Sequence, residues 1–471
     1  VNTSTPRPVL WAGWGCVSAW LLYLLIAPTV GFNWIDSWHN EQRAVQLILL
    51  GASTAVAIAL LLLGSVGVST LLVGFLAAGA LSAALSSYPA AGYAEVGLFI
   101  MLGLTSVMVA TVTRGHAETV TRVLPLIALL VGGAHVTGIA VRVLAAHSVD
   151  AAPEVGIFML GYANPRFASA LYVMLLPLVA AVAVDPSRRG ALRVVAVAVM
   201  TGLWAANIGL GTRGVWLAFA LALPLCIAAA GWRQTKALVI AMLGSAALGA
   251  LLYLAIAALL MAAPAGQGET LAAAVPDGLQ NATLTGRDVL WKAAAEAWMT
   301  RPLLGLGPMQ LAATASFVGA HPHNWILQLL AEWGAVASAL LIAWLVLTAR
   351  RLLVQGVPTR SAAAVWLALL AALALALVDG NLVMPVTQSV FVLLCGVARA
   401  QAPAARQTST RWLRLLVALV IAAAAVHALQ FANASFAQQE AETAEFRKRH
   451  PGAWLTPRLW ETGTMFLERH R

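Results

Sequence analysis

About thirteen apolar runs, each long enough to cross a hydrocarbon layer as a helix, follow one another along this chain. They fall at 9–30, 44–63, 66–86, 95–113, 123–146, 167–184, 194–210, 215–231, 237–262, 324–348, 362–378, 383–399 and 412–432. No soluble core absorbs so many. Within each run the apolar residues do not alternate, so each reads as a helix and not a barrel strand. Only helices and closed barrels satisfy every backbone polar group inside lipid. The fold expected is therefore an all-α polytopic membrane protein of about 12–13 transmembrane helices, the short separations at Gly64-Ser65 and Gly211–Gly214 deciding the count. Composition agrees: charged residues are 10% and mean hydropathy is +0.85, where a soluble domain carries about a quarter charged residues. The first run is long enough to be a span and not a cleavable signal.

The formal charge of +10 attracts anionic lipid, and it also orients the chain. With no soluble basic domain, nucleic acid is not an expected partner. One set of short loops carries Arg114, Arg122, Arg188, Arg189, Arg193, Arg233, Lys236, Arg350, Arg351, Arg360, Arg399, Arg406, Arg411 and Arg414. By the positive-inside bias these loops are cytoplasmic, as is the N-terminus. The opposite loops hold Asp36, Glu41, Arg43, Asp150, Glu154, Arg166, Arg213 and the long interval Pro264–His323. Topology bias does not account for their arginines. The chain divides into N-terminal spans (1–262), a large external loop with an amphipathic helix (263–323), C-terminal spans (324–433) and a short external tail (434–471) with a helical stretch, Ser435–Arg449. No internal repeat is evident. Cys16, Cys226 and Cys395 are isolated in apolar runs and read as packing residues.

In the long interval, 263–281 is irregular. Arg287–Thr300 reads as an amphipathic helix with Thr285 as N-cap and Asp288 in its first turn. Arg301-Pro302 ends it, and Gly305-Leu306-Gly307-Pro308 turns the chain. Arg287 shares a helical face with Trp291. The pair is either a surface arginine beside an interfacial tryptophan or a contact to phosphate or sugar. Arg213, between Gly211 and Gly214, is either a snorkelling arginine or an anion ligand, glycines allowing close backbone approach and the guanidinium binding phosphate bidentately. Arg142, Arg166 and Arg301 could extend the cluster.

The interval closes on His321-Pro322-His323-Asn324 at the start of the 324–348 run. This is either a polar helix start or a histidine able to take up a proton near neutrality, kept neutral by neighbouring arginines. Two histidines alone make a poor metal site, and no metal is expected. Glu332 and Asp379 are expected partners of some of the arginines. Glu332 lies roughly half a turn out of phase with His323 and more than about 10 Å along the helix. His135 and His427 are expected to be packed in the core. There is no paired-aspartate motif, phosphate-cradling loop or nucleophile elbow.

In order, Thr212-Arg213-Gly214-Val215-Trp216, Gly286-Arg287 with Trp291, Arg301–Gly307, and His321–Asn324 with Glu332-Trp333-Gly334 resemble the O-antigen ligase and polymerase superfamily of bacterial envelopes. The resemblance is strongest from Thr212 to Gly334. It implies a glycosyltransferase-C-like membrane fold in the bacterial inner membrane with its active site on the periplasmic face. It further implies a metal-independent, inverting transfer of glycan from undecaprenyl pyrophosphate, with no cofactor. In the ligase branch the acceptor is lipid A–core. Arg213 and Arg287 would bind the donor pyrophosphate, and His323 would activate or orient the acceptor hydroxyl. Arg142, Arg166, Trp291, Arg301, His321 and Asn324 would line the substrate. Polymerases and protein O-oligosaccharyltransferases of the superfamily use other acceptors; the short tail argues against the latter. A flippase or transporter is the non-enzyme alternative.

Overall fold

The computed structural model describes residues 5–29, 37–66, 69–149, 155–162, 164–261, 286–313, 320–357, 359–401, 410–449 and 458–460. Asp36, Asp150, Glu154, Thr285, Arg406, the 263–281 stretch and most of the tail lie outside them. The described residues form fourteen α-helices: α1 Arg7–Ile26, α2 Trp38–Leu62, α3 Thr70–Ala84, α4 Pro89–Thr113, α5 Ala117–Ser148, α6 Pro165–Ala183, α7 Gly190–Gly209, α8 Gly214–Ala230, α9 Trp232–Met261, α10 Arg287–Thr300, α11 Trp325–Gln355, α12 Arg360–Leu375, α13 Pro385–Ala400 and α14 Arg411–Arg449. Every expected span coincides with one helix. Eight helical stretches are long and apolar enough to cross a membrane, α4 and α5 counting as one continuous stretch; α3, α8, α12 and α13 are apolar but shorter. The chain is a polytopic membrane protein.

The bundle is built around α6, where every residue from Phe167 to Ala183 is buried. A helix apolar on all sides belongs inside other helices. Small side chains bring its neighbours close. In α12, Ala362, Ala363, Ala364, Ala368, Ala371 and Ala372 are all buried. The arginines at the far end of α6 cap its orphan carbonyls: Arg193 donates to Ala183 O at 3.1 Å and Arg360 to Val184 O at 2.8 Å.

Helix ends differ from the expected bounds by a few residues at several places, and three departures matter here. The helix α2 begins at Trp38, not at 44, because its polar first turns are buried. Arg43, expected in a loop, is 1% exposed and donates to the side chain of Gln388 at 2.9 Å and to the carbonyls of Val383 and Leu459. Hydropathy does not detect a helix start satisfied by other polar groups. At its other end of the chain, α14 continues without a break to Arg449. The expected border at 433/434 falls inside it, since no helix breaker stands there.

The third change is in α11, which bends at Gly334, where φ is 77° and ψ is 174°. The segment after α10 docks into this break. Leu306 N–H donates to Ala331 O and Gly307 N–H to Glu332 O, both at 2.9 Å, while Ala335 N–H donates to Pro302 O at 2.9 Å. A Cβ on Gly334 would collide with the backbone at Leu303 and Leu304. The break therefore leaves its backbone groups satisfied by the 301–307 segment, as a membrane interior requires.

Candidate active site

The His321–His323 loop stands at the end of the bundle where α6, α8, α10 and α11 all begin. Asn324 is the N-cap of α11: its Oδ1 accepts from Ile326 N and Leu327 N, both at 3.0 Å. Its side-chain oxygen is thus engaged by the helix start. His323 has a left-handed backbone, φ 53°, a conformation costing a non-glycine residue about 1 kcal/mol or more. Its Nδ1 faces Asp379 Oδ1 at 3.7 Å, a gap slightly longer than a hydrogen bond. Asp379 is 8% exposed and is itself held by Gly380 N–H.

His321 is buried under His323, ring centroids 4.3 Å apart and edge to face. Its Nδ1 accepts from His323 N–H at 3.3 Å, so the neutral ring carries its proton on Nε2. A side chain at position 380 would collide with this ring. Burial, then the charges of His323, Arg458 and Arg166, hold the imidazole well below its ordinary value of 6.5. The folded protein keeps His321 neutral, whereas an unfolded chain takes up a proton as pH falls through about 6.5. Stability is therefore complete above that pH and falls below it by up to about 1.4 kcal/mol per unit. Thermal unfolding followed from neutral to mildly acid pH should show this slope, and His321→Gln should flatten it.

Three arginines meet this loop. Arg287 opens α10; burial and the neighbouring charges of Arg166 and Arg213 lower its pKa, and Asp379 opposes them. Arg166 stands in the first turn of α6, whose N-cap Asn164 accepts Arg166 N–H at 2.9 Å. Arg213 is the N-cap residue of α8. Its turn is fixed to α6 by a 2.7 Å bond between Thr212 and Ser169. Gly211 supplies the turn, with φ 64°. Gly214 does something other than expected: a Cβ there would press on Leu375 and Val378 of the α12 end, so its size serves packing. Three guanidinium groups and four helix N-termini give this end of the bundle a positive character of the kind that favours anions.

Residues 195–342 match the family model described as O-Antigen ligase. The match covers about a third of the chain. Comparison with curated proteins finds no match. Members of the family are O-antigen ligases or polymerases, enzymes of glycosyltransferase type. The matched residues include Arg213, Arg287, His321 and His323; Arg166 and Asp379 lie outside them and reach the site through α6 and the α12–α13 turn.

The remaining expected site residues separate. Trp291 donates from Nε1 to Pro322 O at 3.0 Å, so it ties the Arg287 helix to the histidine loop. Trp291→Phe should lower turnover about five- to tenfold, the worth of one hydrogen bond, with donor affinity nearly unchanged; steady-state kinetics check it. Arg301 donates to Leu85 O at 2.8 Å, at the end of α3, and Arg142 to Gly156 O at 3.1 Å. Neither is among the charges acting on Arg287 or His321. His135 is fully buried beside Tyr172, as expected, but His427 is only half buried and contacts Ala90 O at 2.9 Å.

Two features were not anticipated from the sequence. Asp379 faces His323 as well as acting on Arg287. Glu332 pairs with Arg458 of the tail at 2.6 Å, and Arg458 also bridges to Glu95 at 3.1 Å. The arginine is 2% exposed and Glu332 0%. The motif Glu332-Trp333-Gly334 thus serves structure: Glu332 in this pair, Trp333 stacked on Phe75 at 4.7 Å, Gly334 at the helix break.

Proposed function

We propose that this protein transfers O-antigen polysaccharide from undecaprenyl pyrophosphate to lipid A–core at the periplasmic face of the inner membrane. The observation that carries the reading is the gathering of Arg166, Arg213 and Arg287 around the His323–Asp379 pair at one end of the bundle. Arg213 and Arg287 hold the donor's pyrophosphate, with Arg166 beside them. The acceptor hydroxyl gives its proton to His323 Nε2 as its oxygen attacks the anomeric carbon. Asp379, facing Nδ1, stabilises the imidazolium that forms. The bond from the anomeric carbon to pyrophosphate breaks, and the electron pair leaves with the pyrophosphate. Attack from the side opposite the leaving group inverts the anomeric centre. Two arginines on a departing pyrophosphate stabilise the charge where it develops.

The charges cluster at one end of the helices and do not line a path along them, which favours a transferase over a flippase. The acceptor distinguishes ligase from polymerase and protein transferase. Purified protein is given undecaprenyl-linked glycan with lipid A–core, with a second glycan-lipid, or with a pilin-like protein. Glycan on lipid A–core alone is the expected result. Transfer only to glycan-lipid or to protein would reassign the branch, and no transfer to any of them would remove the enzymatic reading.

A further inference from the structure

The histidine loop hangs from three supports, and one of them comes from beyond α14. Trp291 holds the carbonyl of Pro322 and Asp379 faces His323. The third support is Arg458, whose Nη1 donates to Ala320 O at 3.2 Å. The same guanidinium bridges Glu95 of α4 and Glu332 of α11. Glu332 also accepts from Leu311 N–H at 3.1 Å, just before the loop. The 458–460 segment is fastened in turn. Arg43 of α2 donates to Leu459 O at 3.1 Å, and Trp460 packs against Phe436 of α14 with ring centroids 4.7 Å apart.

We propose that the tail completes the site in cis as a strap. Arg458 is a positioning residue that fixes the 320–323 loop and so the direction in which His323 presents its ring. The left-handed backbone at His323 needs such support, because an unrestrained loop relaxes out of it. A buried arginine between two carboxylates is also a weak source of net stability compared with apolar packing. Its yield here is a fixed geometry between three remote parts of the chain. The catalytic consequence rests on the function proposed above; the strap itself does not.

The test reads the loop directly. Histidine acylation by diethyl pyrocarbonate is followed by peptide mass spectrometry on the full-length protein, with the buried core His135 as internal reference. In Arg458→Met, His321 should react about tenfold faster or more, while His135 stays protected, because removing one partner of a buried ion pair frees what it held. Arg458→Lys should restore most of the protection. Unchanged protection of His321 in Arg458→Met would overturn the strap. If His135 is unmasked as well, Trp460→Ala decides, since it loosens the segment but leaves the arginine with its carboxylates. His321 must then react faster with His135 protected, or the proposal fails. Glycan transfer is assayed on the same samples and should fall in kcat with KM for the donor little changed. A freed His321 with undiminished transfer would leave the strap standing and refute the catalytic role given to the loop.

Discussion

Arg287→Ala lowers glycan transfer by about a hundred- to a thousandfold, the usual loss when one group stabilising a leaving charge is removed. Arg287 is the best placed of the three arginines: it lies at the first position of α10 and feels Arg166, Arg213 and Asp379 together. Arg213→Ala should behave similarly. The double variant should lose much less than the product of the two, because both act on one pyrophosphate. Binding of undecaprenyl-linked glycan, measured separately from turnover, should weaken in each. Arginine variants that keep both donor affinity and rate would end the pyrophosphate assignment.

The second large effect is at His323. Alanine there should cost about a hundred- to ten-thousandfold in turnover, the range of a lost general base, while donor binding survives because the arginines are untouched. Asp379→Asn keeps the shape of the pair and removes its charge. Its loss should be smaller, about ten- to a hundredfold, the worth of a charge-assisted contact. Full transfer by His323→Ala in a purified assay would show that the histidine holds no proton in the rate-limiting step. An Asp379→Asn variant slower than His323→Ala would mean that the carboxylate serves Arg287 first.

The sequence makes the spans legible because lipid imposes long apolar runs, and α10 because its amphipathic face is local; its N-cap is Gly286 and not the expected Thr285. The arginine cluster is legible for a related reason: Arg166, Arg213 and Arg287 stand where topology bias gives them no cause. What escapes is pairing across distance. Asp379 is separated from His323 by α11 and α12, and Arg458 from Glu95 by most of the chain. Nothing local marks either partner. The carbonyl partners of Arg301 and Arg142, Leu85 and Gly156, are likewise not marked in the sequence. Asn324 carries its signal openly, as an N-cap residue before a helix.

The break at Gly334 has a mechanical consequence. It divides α11 into a short leading piece behind Asn324 and a longer piece running to Gln355. The leading piece is stitched through Ala331 and Glu332 to the segment that follows α10, so it belongs to the same rigid block as Arg287. The longer piece is tied to the same segment, since Ala335 N–H and Val336 N–H donate to Pro302 O and Leu303 O, and it packs on α3 through Ala337 and Leu340. Both sides of the break are therefore held by one segment, and a tilt of the longer piece is carried to the chain that follows the Arg287 helix.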